Sequence, residues 1–495
     1  MFKKITVLLI ILLIIPWMGG FAILSVSGWS NGGQNANLEL QSVEHFIDVP
    51  FHYQDIDYYC GPACLEMVFD YYGEDINQTE IADAARTIGE PYWSTYTDEM
   101  RRAAHFSNLS TSMGIEMPGN VTGYTLRKLG YAAFEAFDMD LTQLKSYIDQ
   151  DKPLILLMWY SEYHVSGHYR VVTGYNETYV FLHDPWNNVS WGGRYGGPNI
   201  LFNYTMFLDL WSYSGNWALY ASPWTVNTSA PTYIKPETPF QINTTITYPQ
   251  ALPNSFNNYS ASSCNATIIL PANLTLAQGE TPKKTVGTGS LEAGANSTVN
   301  WMLTTNYSGV YTVTIEVEGL ISGFVGANAN YTAYDYSDRI GATVNFTMEL
   351  EEDSNNPIIG IPTRDPAGDV QPYQNVKVLV NVTDAESGIK NVTLYYNVNI
   401  SLPWIVISMD YNSTSRLYNA TIPGQPAGTW VRFMIIAYDH VGNNATMDGT
   451  EPYCVYQVIP EFPTDVMLPL FIILSTLAVL YVKKGRHGKN PFSPH

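Results

Sequence analysis

From Cys60 to Tyr72 apolar side chains recur at helical spacing, with Leu65, Val68, Phe69 and Tyr72 on one face, and the run stops at Gly73. That spacing predicts a core-facing helix with a glycine end. Shorter helical patterns follow over 79–88, 97–106, 122–129 and 141–148. The period then changes. Leu154 to Trp159 is a continuous apolar run, while Tyr169 to Tyr175 and Tyr179 to Leu182 are β-branched and aromatic, with Asn176-Glu177 at the turn between them. Such runs predict strands, the last two joined as a hairpin. Helices followed by an antiparallel sheet define an α+β domain over residues 45–222.

Beyond Pro223 helical periodicity disappears. Alternating runs such as Tyr311 to Val317, Val376 to Val382, Val392 to Tyr396 and Val431 to Ala437 are separated by Gly, Pro, Asn and Asp turns. They predict two all-β sandwich domains, 225–350 and 357–457, joined by the acidic, Pro-ended linker Glu351 to Pro357.

The ends of the chain add a location. Lys3-Lys4 followed by the apolar run Ile5 to Ile15 reads as a secretory signal or an uncleaved signal anchor, 1–27, with Ser25-Val26-Ser27 as a candidate cleavage step. Val466 to Val482 is apolar and is followed by Lys483-Lys484-Gly485-Arg486. This reads as a short transmembrane helix, 466–482, with a basic cytoplasmic tail, 483–495, which puts residues 28–463 outside the cell. Between Asn77 and Asn444 lie 21 Asn-x-Ser/Thr sequons, as expected of an exported glycoprotein carrying N-linked glycans. Composition agrees: 14% of residues are charged and Tyr alone contributes 36, a palette of exposed β-rich proteins. Six of the 24 basic residues flank the terminal apolar segments, so 18 remain against 45 acidic ones. Such a field repels nucleic acid, which is excluded as a partner.

The chain has four cysteines, Cys60, Cys64, Cys264 and Cys454, too few for a disulfide scaffold and without zinc-ribbon spacing. Cys60 and Cys64 share a helix face but lie near the limit for a bridge, so separate thiols are expected. Cys264 and Cys454 can pair only if the downstream domains touch. Cys60 stands at a predicted helix N-terminus, where the dipole favours thiolate. Pro62 fits a first helical turn, and Gly61 is expected to let backbone approach a substrate carbonyl. A thiolate needs an imidazole and an orienting third group. His168 heads one strand of the hairpin and Asp184 ends the other, so the turn brings them together. Gln54 is a candidate amide donor to an oxyanion. Each residue has a plainer reading: Cys60 as a buried structural thiol, His168 as a sheet histidine, Asp184 as a turn residue. His164, His183 and Cys64 compete for the same roles, His183 from the opposite strand face and Cys64 as core packing. Downstream, the acidic turn Asp384-Ala-Glu386-Ser-Gly388 is a Ca²⁺ candidate that lacks a full ligand set.

Asp48-Val-Pro-Phe51, Gln54, Tyr59 to Leu65, Gly167 to Tyr175 and His183-Asp184-Pro185 resemble the motifs of the bacteriocin-leader (double-glycine) peptidase-like group of papain-fold cysteine peptidases. The resemblance covers 48–222. It implies Cys60 as nucleophile, His168 as base, Asp184 as orienter and Gln54 as oxyanion-hole donor, with no cofactor or metal. Leader peptidases of this group are fused to an ATP-driven exporter and work on its cytosolic side, whereas this chain has no Walker-type phosphate loop and faces outward. Leader processing is therefore not implied; the stand-alone exported members are the nearer match. Residues 357–457 are similar to immunoglobulin-like repeats of archaeal surface proteins, and Pro460-Glu461-Phe462-Pro463 to archaeal C-terminal sorting signals. Three functions follow as expectations: peptide hydrolysis at the cell surface, transpeptidation or cross-linking on the same fold, or a catalytically silent adhesion or envelope protein. The silent reading expects triad atoms that do not converge, or a glycan on Asn176 or Asn188 over the cleft.

Overall fold

In the computed structural model, which describes residues 43–112, 124, 127–255, 259–399, 401–459 and 464–485, the N-terminal domain begins with strand β1 (Val43–Phe46) and helix α1 (Cys60–Tyr71). The signal segment expected at 1–27 and the tail beyond Gly485 lie outside the described residues. Helices α2 (Gln78–Ala84), α3 (Thr97–His105) and α4 (Asn108–Ser112) follow. Then come β2 (Ala132–Ala136), α5 (Leu141–Ile148), β3 (Leu154–Trp159), β4 (Gly167–Asn176) and β5 (Tyr179–Asp184). The domain closes with α6 (Asn188–Trp191), β6 (Gly197–Asn203), α7 (Tyr204–Trp211) and β7 (Ala218–Ser222).

Local chemistry sets these boundaries. Asp140 and Gln143 form a reciprocal capping box that starts α5 at the expected residue. Asn77 and Asn203 cap α2 and α7. Helix α2 ends earlier than its apolar pattern, because Arg86 turns the chain with φ +48° and its guanidinium pairs with Glu99 at 2.9 Å. The helix expected over 122–129 is not formed at its described residues, Tyr124 and 127–129. There Arg127 is pulled inward instead, to Glu74 at 2.6 Å and over the Phe69 ring at 3.8 Å.

The strands form one antiparallel sheet in the order β2-β7-β3-β4-β5-β6, with β1 paired to the far end of β4. Across the hairpin Val172 faces Leu182 and Val171 faces His183. Continued by one residue, that register sets Asp184 opposite Arg170 and diagonal to His168 on the same face.

After Ser222 the chain is all-β. One unit has a four-stranded and a six-stranded sheet, the latter built on the long hairpin Gly309–Val325 and Tyr334–Glu352. Its core is continuous with that of the N-terminal domain, running from Ile47 to Leu350. The join is made by charge as well as by apolar contact: buried Arg102 of α3 meets buried Asp338 of the hairpin at 2.9 Å. The last β unit has its own core, from Val370 to Val458, between a four-stranded and a five-stranded sheet.

Residues Thr464–Gly485 are helical, with Phe471, Leu474, Leu477 and Leu480 exposed. Among the described residues, however, no helix is long and apolar enough to cross a membrane. The expected span at 466–482 thus gains no support.

Candidate active site

The site forms where the first turn of α1 meets β4 and β5. Residues Gly61 to Phe69 of α1 are buried, which fixes the helix against the sheet and leaves Cys60 half-buried at its N-terminus. In the first turn the backbone N–H groups lack intrahelical acceptors and point outward, a natural seat for negative charge. Cys60 lies beside His168 and the backbone N–H groups of Tyr169 and Gly61, all of which favour its thiolate. His168 Nε2 donates to Asp184 Oδ1 at 2.7 Å, which leaves Nδ1 as the nitrogen for the thiol.

Asp184 is fully buried and is held from two further directions. Arg170 Nε donates to its Oδ2 at 2.8 Å and the Trp186 N–H donates to its Oδ1 at 3.0 Å. Arg170, also fully buried, spends its other donors on the carbonyls of Trp159 and Tyr160, at 3.0 and 2.8 Å. Every charged group in the row Arg170, Asp184, His168 thus has a partner, as burial demands.

The electrostatic consequences run along this row. Burial alone raises the carboxyl of Asp184, but the Arg170 guanidinium and then His168 hold it well below the usual carboxylate range. Burial depresses His168, yet the Asp184 charge and hydrogen bond, with Cys60, raise it above an ordinary imidazole. Burial lifts the Cys60 thiol, but the bond to His168, its charge and the two backbone N–H groups bring it below an ordinary thiol. Cys64, one turn on, has no such partners: burial and then the Cys60 charge push it well above the ordinary range. Two neighbouring cysteines are therefore driven in opposite directions.

Gln54 is buried beside this row and its loop is pinned from both ends. Its backbone N–H donates to Pro185 O at 2.8 Å. Next to it, Gln78 donates to Tyr53 O at 2.7 Å, accepts from Asp55 N at 2.8 Å and donates to Glu66 of α1 at 2.7 Å. The Gln54 amide donates to Ile56 O at 2.9 Å, which uses one of its two N–H hydrogens.

The competing residues lie elsewhere. The Asn199 N–H donates to His183 Nδ1 at 3.1 Å, so His183 Nε2 donates to Val49 O at 2.8 Å and the ring is neutral. Exposed His164 stacks on Trp159 and pairs with Asp209 at 3.0 Å. Gly61 also serves packing: a Cβ there would sit 2.7 Å from Met100 Sδ and 3.3 Å from Thr95 Cβ. It allows close packing of α1 on α3. Asn176 is 2% exposed, its side chain closing the hairpin turn through the N–H groups of Thr178 and Tyr179. All four cysteines are free thiols. Arg170 and Gln78 are not among the residues that the sequence patterns single out. Arg170 was detectable, since it lies two residues from His168 on the same strand face. Around His168 stand the rings of Tyr160 and Trp186, with centroids at 5.4 and 6.3 Å.

A helix N-terminal cysteine against a histidine on an antiparallel sheet is the architecture of a cysteine peptidase. Residues 46–219, about a third of the chain, match the model of the Peptidase_C39 like family. Among solved structures, the peptidase domain of Streptococcus ComA, described as a bi-functional ABC transporter involved in a quorum-sensing pathway, is similar at 19% identity. The match covers 35% of this chain and 96% of that one, with a TM-score of 0.25. The FN1–FN3 domains of chicken CNTN1 match at 9% identity over 63% of this chain and 90% of theirs, with a TM-score of 0.23. No curated protein matches the chain.

Proposed function

We propose that the N-terminal domain hydrolyses peptide bonds through a thioester on Cys60. The observation that carries this reading is the hydrogen-bonded row of His168, Asp184 and Arg170, with Cys60 set beside His168 at the N-terminus of α1. His168 Nδ1 takes the Cys60 proton, and the thiolate attacks the scissile carbonyl carbon. The resulting oxyanion is met by the Cys60 backbone N–H and the second N–H of Gln54. Collapse breaks the C–N bond, and the proton on Nδ1 leaves with the amine. Water, deprotonated by His168, then attacks the thioester and releases the acid and the thiol. Asp184 keeps the proton of Nε2 in place and balances the imidazolium.

The convergence of the row counts against the silent-fold reading. Peptidyl acyloxymethyl ketone labelling of the purified protein tests the proposal. Adduct at Cys60, lost in Cys60→Ala and weakened in His168→Ala but retained in Cys64→Ala, is expected. Equal slow labelling at Cys60 and Cys64 refutes it.

We further propose that the domain works outside the cell, carried by the β units as a stalk and held at the membrane through the C-terminal segment. The N-terminal apolar run, the sequons and the exposed apolar side chains of Thr464–Gly485 support this. Proteolysis of intact cells should shave the domain; protection until the cells are lysed would overturn this location.

A further inference from the structure

We infer that Asp353, Asp384 and Asp439 form a binding site for a hard divalent cation, Ca²⁺, at the junction of the two β units. The three come from separate places: the segment between the units, the loop after Val382–Thr383, and the end of strand Trp430–Asp439. One carboxylate oxygen from each lies within 4.8 Å of the other two, close enough to share one ion with metal–oxygen bonds of about 2.4 Å.

The carboxylates are already oriented. Asp439 Oδ1 accepts from the N–H groups of Gly442 and Asn443 at 2.6 and 2.7 Å, and Asp384 Oδ1 from that of Gly388 at 2.7 Å. Their Oδ2 atoms are buried with no hydrogen-bond partner, although Asp439 is 0% exposed. Asp353, equally buried, is fixed by the N–H groups of Asn355 and Ser387 at 3.0 and 3.1 Å. Asn443 donates to its backbone carbonyl at 3.0 Å. The hydroxyl of Ser387, on the same loop as Asp384, is a further buried oxygen without a partner.

Among the described residues no Lys, Arg or His pairs with any of the three carboxylates. Three converging negative charges, two of them sealed from water, repel one another and have lost their hydration. Buried polar oxygens left bare in a native protein call for an ion or water. A cation answers both demands. The ligand set is all oxygen, without His or Cys, which selects a hard ion over zinc or copper. Each carboxylate has at least one oxygen on backbone amides, so the set is irregular. That suits the 6–8 flexible ligands of Ca²⁺, completed by water or carbonyls, better than the strict octahedron of Mg²⁺.

Such an ion would act mechanically. The Asp353 N–H donates to Ile234 O of the first β unit at 2.8 Å, while Asp384 and Asp439 belong to the second. Binding would clamp one unit to the other and stiffen the stalk, independently of the peptidase chemistry.

The test uses the full chain, stripped with EDTA and titrated with CaCl₂ by calorimetry, with Tb³⁺ luminescence as a second readout. One tight site per chain and a calcium-raised melting midpoint are expected. Asp439→Asn retains the oxygen that faces Gly442 and Asn443, and should weaken binding at least tenfold; Asp384→Asn, at a less buried position, is the second substitution should the first not fold. Asp410→Asn, exposed on another strand of the second β unit, should bind as wild type. The signs should also cross: in EDTA Asp439→Asn melts at or above wild type, since repulsion is relieved, whereas in excess CaCl₂ it melts below. Absence of saturable heat, with wild-type Tb³⁺ emission no stronger than that of Asp439→Asn, overturns the assignment, as does equal affinity for MgCl₂.

Discussion

Replacing Asp184 by Asn should damage stability and chemistry through different partners. The carboxylate lies fully buried between Arg170, at 2.8 Å, and His168, at 2.7 Å. Asn keeps a similar shape and an acceptor but removes the charge, leaving the Arg170 guanidinium buried with only the two carbonyls of Trp159 and Tyr160. Two unit charges about 4 Å apart at an effective dielectric near 20 attract by about 4 kcal/mol, and breaking a buried pair from one side costs about 3–5 kcal/mol. A loss of about that size is expected in urea unfolding followed by tryptophan fluorescence. Chemistry should fail separately. Without the anion, His168 loses the charge that raises it, and the Cys60 thiolate loses part of its support. The pH midpoint of Cys60 alkylation should move up, and turnover should fall on the order of 10³–10⁴-fold. The double substitution Asp184→Asn/Arg170→Met separates the two effects, because both buried charges are gone. Most of the lost stability should return while the alkylation midpoint stays high. A double variant no more stable than Asp184→Asn, or an unmoved midpoint with Asp184→Asn alone, would refute the division of labour between Arg170 and His168.

Further expectations concern the neighbouring residues. Gln54→Ala should lower kcat by about 10²–10³-fold with little change in KM, since its free N–H acts on charge that exists only in the transition state; an equal effect on KM would point to ground-state binding instead. Alkylation at Cys60 should rise with pH through a midpoint below that of a free thiol, while Cys64, buried and raised, stays inert in the fold; mass spectrometry of the alkylated peptides reads both. For His168, raised in the fold, the stabilisation is complete below its unfolded pKa of about 6.5 and is lost as pH climbs through the folded value. Asp184, depressed in the fold, stabilises above about 3.9 and loses that contribution as pH falls through its folded value, so urea midpoints should drop at both ends of a pH series. Gly61→Ala should cost about 1–3 kcal/mol, because its Cβ would lie 2.7 Å from Met100 Sδ, and adding Met100→Ala should relieve that clash; equal stability of Gly61→Ala and wild type would contradict the packing role.

The hairpin and the helix were legible because each has a local cause. The helical spacing after Cys60 and the Asn176-Glu177 turn needed no distant partner, and together they brought Cys60, His168 and Asp184 to one place. What escaped was set by tertiary contact. Arg170 shares the His168 face of its strand, but only the register across the hairpin sets it opposite Asp184, inside the sheet. Gln78 is singled out by no pattern, yet it braces the loop that carries Gln54. The arginines of α3 at 101 and 102 are buried against Glu135 and the long hairpin of the first β unit, so the core runs across the expected boundary at 222–225. The segment Glu351 to Pro357 reads as a spacer by composition, but Asp353 within it is fully buried between two units. Periodicity reports which face of an element is apolar; it does not report which charges find a buried partner.

The most direct test of the central claim is peptide-library digestion by the purified protein, read by mass spectrometry beside Cys60→Ala and His168→Ala. New termini together with a transient acyl adduct on Cys60, both absent from Cys60→Ala, are the predicted result. Intact peptides and an unmodified Cys60 with the wild-type protein, across neutral pH, would contradict it.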